Sequence, residues 1–312
     1  MVARAKLSAM PPYKYSLALA AMASLIAAPA SAQSSRASCK SAQPVRVMTY
    51  NIRLDIASDG DNRWDNRRAL VAGQMRLFAP DIFGMQEVQP NQKQHVMDDL
   101  PRYTIIGGGR DDGLSKGEAS PLGINRDKWT VLSSGQFWLS PTPDKPGKAW
   151  DADYPRIATW AHLKARKGNK RLLAINTHFD HVGKEARLAS ARLLTRWIAD
   201  NRKPREYFVL MGDFNTSADS PPLMALKSEG GLNDSRDVSE TAPFGPPGSF
   251  TGFDYAKREA KAIDHILIGP GIAVTHHSII EQTVAGRLPS DHWPVVADLV
   301  LAPCKADTKT PR

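Results

Sequence analysis

Cysteine is scarce: the 312-residue chain has two, Cys39 and Cys304. No two histidines stand four apart, so neither a thiolate cluster nor a helical histidine pair offers zinc its usual ligands. Past residue 32 no apolar run reaches the roughly 18 residues of a spanning helix, so none is expected there. Internal repeats and low-complexity tracts are missing from the body of the chain, which removes solenoid architectures. The run Gly107-Gly108-Gly109 lacks a Gly-Lys-Ser/Thr ending, and no apolar helix follows it, so it is not a nucleotide phosphate loop.

The N-terminus reads as a targeting segment. Arg4, Lys6 and Lys14 form a positive lead, residues 16–28 an apolar run, and Ala30-Ser31-Ala32 a small-residue cleavage site. Residues 1–32 are therefore expected to be a cleavable signal peptide and the protein to be soluble and exported, periplasmic or secreted. Residues 33–43 read as a mobile lead-in, 44–302 as the folded domain and 303–312 as a tail. Two cysteines in an oxidising compartment predict a Cys39–Cys304 disulfide. It needs the first and last strands to lie close together, and loop closure would make it worth roughly 4–5 kcal/mol.

The formal net charge of +9 falls to about +6 once the three signal charges leave. That balance favours anionic partners such as phosphates and is too small to establish nucleic-acid binding. The roughly 280 remaining residues suit one large sandwich or barrel, long enough to bury its own core.

Alternating or apolar segments predict strands over 45–51, 81–85, 103–106, 155–164, 171–177, 206–211, 263–268, 272–280 and 293–301. Segments 121–126 and 129–139 read as a strand and its paired return. Helical spacing predicts helices over 67–78, 91–100 and 183–199, and a further one starting at Pro221. Strands outnumber helices, and helices fall between strand groups. This favours two packed β-sheets with helices outside over a doubly wound parallel sheet.

The chain is organised around Val209-Leu210-Met211-Gly212-Asp213-Phe214-Asn215. An apolar strand runs into Gly212, expected to provide a sharp turn. Asp213 and Asn215 then point one way and Phe214 the other. The motif has counterparts. Strands end at Asn51, Glu87 and His178, whereas Asp264 and Asp291-His292 open late strands. If early strands run toward one edge and late ones away from it, these groups converge there. Glu and Asp with an Asn oxygen suit Mg²⁺, and two histidines with a further carboxylate remain for protons and oxyanion charge.

Thr49-Tyr50-Asn51-Ile52-Arg53, Gln86-Glu87, Asn176-Thr177-His178, Gly212-Asp213-Phe214-Asn215, Ile263-Asp264-His265 and Ser290-Asp291-His292 occur in this order. Together they resemble the endonuclease/exonuclease/phosphatase family of DNase I-like phosphohydrolases, over about residues 45–301. The resemblance implies an α/β fold, a four-layer sandwich of two packed mixed β-sheets flanked by helices. It implies a divalent-metal cofactor, Mg²⁺ with Mn²⁺ or Ca²⁺ as alternatives, at Asn51, Glu87 and Asp264, with Glu87 the principal ligand and Asp264 alternatively orienting the histidines. His178, Asn215 and Arg156 would contact the phosphate. Asp213 would position or activate water, and His292, paired with Asp291, would be the general base or a phosphate contact.

Asp59 to Trp64, Arg67, Asp180, His181 and Arg187 resemble a secreted bacterial branch, with Asp180 and His181 either lining the pocket or capping a helix. Phe250 and Phe253 either stack on a base or sugar or plug the sandwich. The leading expectation is a phosphodiesterase of nuclease type. The alternatives are a phosphatase or phospholipase acting on a sugar, inositol or lipid phosphate, and a non-catalytic phosphate-binding protein. The partner is a phosphate ester, with nucleic acid among the candidates. No stable protein partner is implied, and a monomer is expected.

Overall fold

The computed structural model describes residues 44–257 and 259–301. The signal segment, the lead-in before residue 44, the tail and the Cys39–Cys304 pairing lie outside the described residues.

Two six-stranded mixed sheets face each other. The first takes β1 (Val45–Asn51), β2 (Ile82–Gln86), β3 (Tyr103–Ile106), β4 (Leu122–Asn125), β11 (Ile272–Ile279) and β12 (Val295–Leu301), in the order β11-β12-β1-β2-β4-β3. The second takes β5 (Trp129–Trp138), β6 (Ile157–Ala165), β7 (Arg171–His178), β8 (Tyr207–Asp213), β9 (Asn233–Asp234) and β10 (Asp264–Ile268), in the order β5-β6-β7-β8-β10-β9. Each sheet has one parallel pair, β1 with β2 and β7 with β8, and every other pairing is antiparallel.

Strand alternation divides the core into layers. Val47, Ile82, Ile124, Ala174, Val209, Met211, Ile266 and Val295 point between the sheets. Met48, Tyr50, Phe83 and Met85 point outward, onto Trp64, Val71 and Met75 of α1 (Trp64–Phe78) and Val96 of α2 (Pro90–Asp99). Leu173, Ile175, Phe208 and Leu210 cover the opposite outer face. They pack on Ala191, Leu194 and Ile198 of α3 (Lys184–Asn201) and Leu223 and Leu226 of α4 (Pro221–Ser228). The result is the expected four-layer sandwich. No helix among the described residues is long and apolar enough to cross a membrane.

One predicted pairing is wrong. β4 and β5 do not form a hairpin, because β4 already has β2 on one side and β3 on the other. β5 therefore crosses to the second sheet and pairs with β6 along its length.

Antiparallel β12 and β10 run opposite to the parallel pairs beside them. The ends of β1, β2, β7 and β8 thus meet the beginnings of β10 and β12. The beginnings of β4 and β6 reach the same end of the sandwich, since Leu122 pairs with Gly84 and Ala158 with Thr177.

Candidate active site

That convergence builds a cleft of about 620 Å³, whose lining includes Glu87, Arg156, His178, Asp213, Asn215, Asp291 and His292. Asp213 closes β8 and Asp264 opens β10, and the two lie in register across the antiparallel pair. Asn51 closes β1, His178 closes β7 and Glu87 follows β2.

Gly212 does not make the turn expected of it. It lies within β8, and a Cβ there would stand 2.2 Å from the Thr177 carbonyl oxygen of β7, so glycine is required by the close approach of two strands. The turn comes at Asn215, whose φ is +50°. Arg53 (φ +56°) and Glu87 (φ +62°) also adopt the left-handed region. Three non-glycine residues held in that sparsely populated conformation around one cleft are local strain of the kind that marks functional sites.

The polar groups form one network. Asn51 Nδ2 donates to Glu87 Oε1 at 2.9 Å and to Asp213 Oδ2 at 3.0 Å. Its oxygen, expected to serve a cation, instead accepts the Arg53 N–H at 3.0 Å, because two carboxylates flank the amide nitrogen. Asn215 Nδ2 donates to the Phe179 carbonyl and to His178 Nε2, both at 3.0 Å, so that histidine nitrogen is the unprotonated one. His292 Nδ1 lies 2.8 Å from Asp264 Oδ2, which also accepts Ser249 Oγ–H at 2.6 Å.

The expected Asp291–His292 pair is thereby corrected: the imidazole is oriented by Asp264. Side chains of consecutive residues in extended chain diverge, and Asp291 turns instead to Ser290 Oγ and toward Arg53.

Electrostatics divide the two histidines. Burial, reinforced by Arg156 and Arg110, holds His178 well below the ordinary histidine range, so it is neutral. Burial also opposes charge on His292, but Asp264, Asp213 and Asp291 outweigh it and raise its pKa, favouring the imidazolium. Burial and then Asp264 raise the Asp213 carboxyl.

Ligand atoms of Asp213, Asp264 and His292 lie within 4.8 Å of one another. Asp264 Oδ1 is buried with no hydrogen-bond partner among the described residues. A buried, unsatisfied carboxylate oxygen calls for a donor or a cation. With Glu87 tied to the same network through Asn51, the carboxylate-rich donor set fits a hard divalent ion.

Arg156 is buried. Its Nε donates to Asp180 Oδ2 at 3.2 Å, its Nη2 meets His181 Nδ1 at 3.1 Å, and its Nη1 has no partner among the described residues. Asp180 does neither of the things expected of it. It is absent from the cleft lining and instead holds Arg156 from behind, and it accepts the N–H groups of Val182 and Gly183 ahead of α3. The first-turn N–H groups of Glu185 and Ala186 go to Asp151. His181 lines the cleft. Phe250 lines it too, edge-on to His292 with ring centroids 4.9 Å apart. Phe253 packs under Arg67, whose guanidinium braces the carbonyls of Ile52, Arg53, Asn62 and Pro289.

Sequence reasoning missed Arg110 and Glu118, which line the cleft from the loop joining β3 to β4. The available signal was the glycine run immediately before Arg110.

A mannosyl-6-phosphatase from Bacteroides thetaiotaomicron is 35% identical and superimposes with a TM-score of 0.78, over 82% of this chain and 99% of that one. An endonuclease/exonuclease/phosphatase protein from Bacteroides vulgatus is 39% identical with the same TM-score, over 83% and 99%. An uncharacterised protein of Acanthamoeba polyphaga mimivirus is 30% identical over 161 residues, 49% of this chain, and the aligned segment spans 60% of the viral protein's length. The sequence model of the endonuclease/exonuclease/phosphatase family matches residues 48–292, which carry every group of the network above, and the chain belongs to that family.

Proposed function

We propose that this protein is an exported, divalent-metal-dependent phosphatase that hydrolyses a compact phosphate monoester of the sugar-phosphate type. The observation that carries this reading is the charge pattern of the cleft. Its arginines are each committed to a carboxylate: Arg53 to Asp59, Arg110 to Glu118 and Arg156 to Asp180. Nucleic acid calls for a basic stripe spanning several phosphates, and these paired arginines do not offer one. The long loop before β6 supplies Tyr154 to the lining, and the segment before β10 supplies Phe250, as a bounded pocket requires. The mannosyl-6-phosphatase activity of the Bacteroides relative agrees with this order of preference, which reverses the nuclease-first expectation.

The chemistry is in-line attack of water on phosphorus. Asp213 takes the proton of the attacking water. His292, kept charged by Asp264, donates to a phosphoryl oxygen. Arg156 Nη1 and the Asn215 N–H now shared with His178 donate to the others as charge builds. Glu87 and Asp264 would hold the divalent ion, taken to be Mg²⁺, which would neutralise phosphoryl charge as a Lewis acid when bound.

The test is a hydrolysis panel with Mg²⁺, Mn²⁺, Ca²⁺ or EDTA. It compares mannose 6-phosphate and p-nitrophenyl phosphate with bis-p-nitrophenyl phosphate and single-stranded DNA. Monoesters are expected to exceed diesters at least tenfold in kcat/KM, with EDTA abolishing turnover and Mg²⁺ restoring it. A preference for DNA or the diester, or activity indifferent to EDTA, would overturn the reading.

A further inference from the structure

The loop between β3 and β4 folds back on itself. A Cβ on Gly108 would stand 2.2 Å from the Gly113 carbonyl oxygen, and one on Gly109 would stand 2.1 Å from that of Lys116. Glycine at both positions permits this approach. Arg110 N then donates to the Glu118 carbonyl at 2.9 Å, and the two side chains meet at the cleft, with Arg110 Nη1 donating to Glu118 Oε2 at 2.9 Å. The Tyr154 ring lies 4.5 Å from the Arg110 guanidinium carbon and fixes its plane.

Arg110 is 8% exposed, yet its Nε–H has no acceptor among the described residues. Leaving such a donor unmatched is costly, so a group that enters the cleft is the natural acceptor. Glu118 retains acceptor capacity beside it, since a carboxylate offers about four lone-pair sites and Arg110 Nη1 takes one. Both residues border the same small crevice as Arg156 and His178, adjacent to the phosphate-facing groups. The pair is neutral overall, and Glu87 acts on it electrostatically. A second phosphate would meet two carboxylates there. Hydroxyl groups, which donate and accept at once, match both partners: Glu118 accepts and Arg110 Nε donates.

We propose that Arg110 and Glu118 form a hydroxyl-recognition subsite that reads the polyhydroxylated alcohol of the substrate, a sugar or linear polyol, and sets specificity beside the phosphate site. The inference rests on the monoesterase reading above and adds the residues that select among monoesters.

The experiment measures kcat/KM on mannose 6-phosphate and on p-nitrophenyl phosphate, whose leaving group carries no neighbouring hydroxyls. It compares the metal-loaded wild type, Glu118→Gln, Arg110→Gln and the swapped double variant Arg110→Glu/Glu118→Arg. The ratio of sugar to aryl ester is expected to fall at least tenfold in each single variant. It should stay low in the swapped pair, which keeps an ion pair but inverts donor and acceptor. Recovery of the ratio in the swapped variant, or equal losses on both esters, would make the pair a loop brace and overturn the subsite alone. Melting temperatures separate such losses from unfolding, and the ratio is read on the folded variants. Wild-type protein that turns over neither ester would overturn the monoesterase reading and this inference with it.

Discussion

Asp213 and Asn215 stand two apart yet occupy different electrostatic settings. Asp213 is buried against Asp264 and bonded by Asn51, whereas Asn215 leaves β8 in the left-handed conformation and bridges two neighbours with its amide. Asp213→Asn keeps the shape and removes the proton acceptor, so kcat should fall about 10²–10⁴-fold. Asn215→Ala removes one phosphoryl donor and should cost about 10²–10³. Steady-state kinetics on p-nitrophenyl phosphate checks both, and an Asp213→Asn loss below tenfold would exclude Asp213 as the base.

A second residue-scale prediction lies away from the cleft. Burial lowers the His277 pKa to about 4, against 6.5 for an ordinary histidine. Between those values the unfolded chain binds a proton that the fold refuses. Stability from this group is therefore complete above pH 6.5 and lost as pH falls toward 4, by about 2–3 kcal/mol at pH 4.5. Urea unfolding at pH 7.5 and 4.5 should show His277→Gln losing less stability on acidification than wild type, by that amount. Equal losses would refute the assignment.

At the scale of elements, one side chain ties the sheets together. Asn176 of β7 donates to the carbonyls of Met85 and Pro121 at 2.7 and 3.0 Å and accepts Gln86 Nε2–H at 2.7 Å. It crosses from the second sheet to β2 of the first, close below the ends that carry His178 and Glu87. Gly84 makes room for it, because a Cβ there would stand 2.3 Å from Asn176 Oδ1. Gly84→Ala must break those bonds or separate the sheets. The expected destabilisation is about 3 kcal/mol or more, a drop of roughly 6–12 °C in Tm for a domain of this size. Calorimetry checks this, and a shift below 2 °C would mean that the sheets adjust freely.

Strand ends such as Asn51, His178 and Asp213 are readable in sequence because an apolar alternation stops at a polar side chain. The partner of a side chain is harder to read. Asp264 reaches His292 across 28 positions, and only the packing of one sheet on the other, which sets the start of β10 beside the segment entering β12, makes that contact short. Arg110 and Glu118 escape for the same reason: eight residues apart, they meet only once the glycines let their loop fold back. The mistaken hairpin of β4 with β5 follows from reading adjacency in the chain as adjacency in space.

At the scale of the molecule, the sheets repeat one scheme. Read outward from the parallel pair, β12 and β11 flank β1 as β10 and β9 flank β8, while β4 and β3 flank β2 as β6 and β5 flank β7. A two-fold-like arrangement brings equivalent strand ends to one cleft, which is why six short motifs spread over the chain meet. It also sets where the chain enters and leaves. β1 and β12 are antiparallel neighbours, with Val45 opposite Leu299. β1 therefore begins where β12 ends, and in the sequence Cys39 stands six residues before Val45 and Cys304 three after Leu301. This meets the geometric condition that a bridge between them imposes. The proposed export to an oxidising compartment, tested by whether the thiols are free, predicts that the bridge forms. Thiol titration of denatured, unreduced protein should find no free cysteine. Reduction, or Cys39→Ser with Cys304→Ser, should destabilise the fold by roughly 4–5 kcal/mol, with little effect on kcat/KM because the cleft lies at the opposite end of β1. Two titratable thiols in protein purified from an oxidising compartment would exclude the bridge.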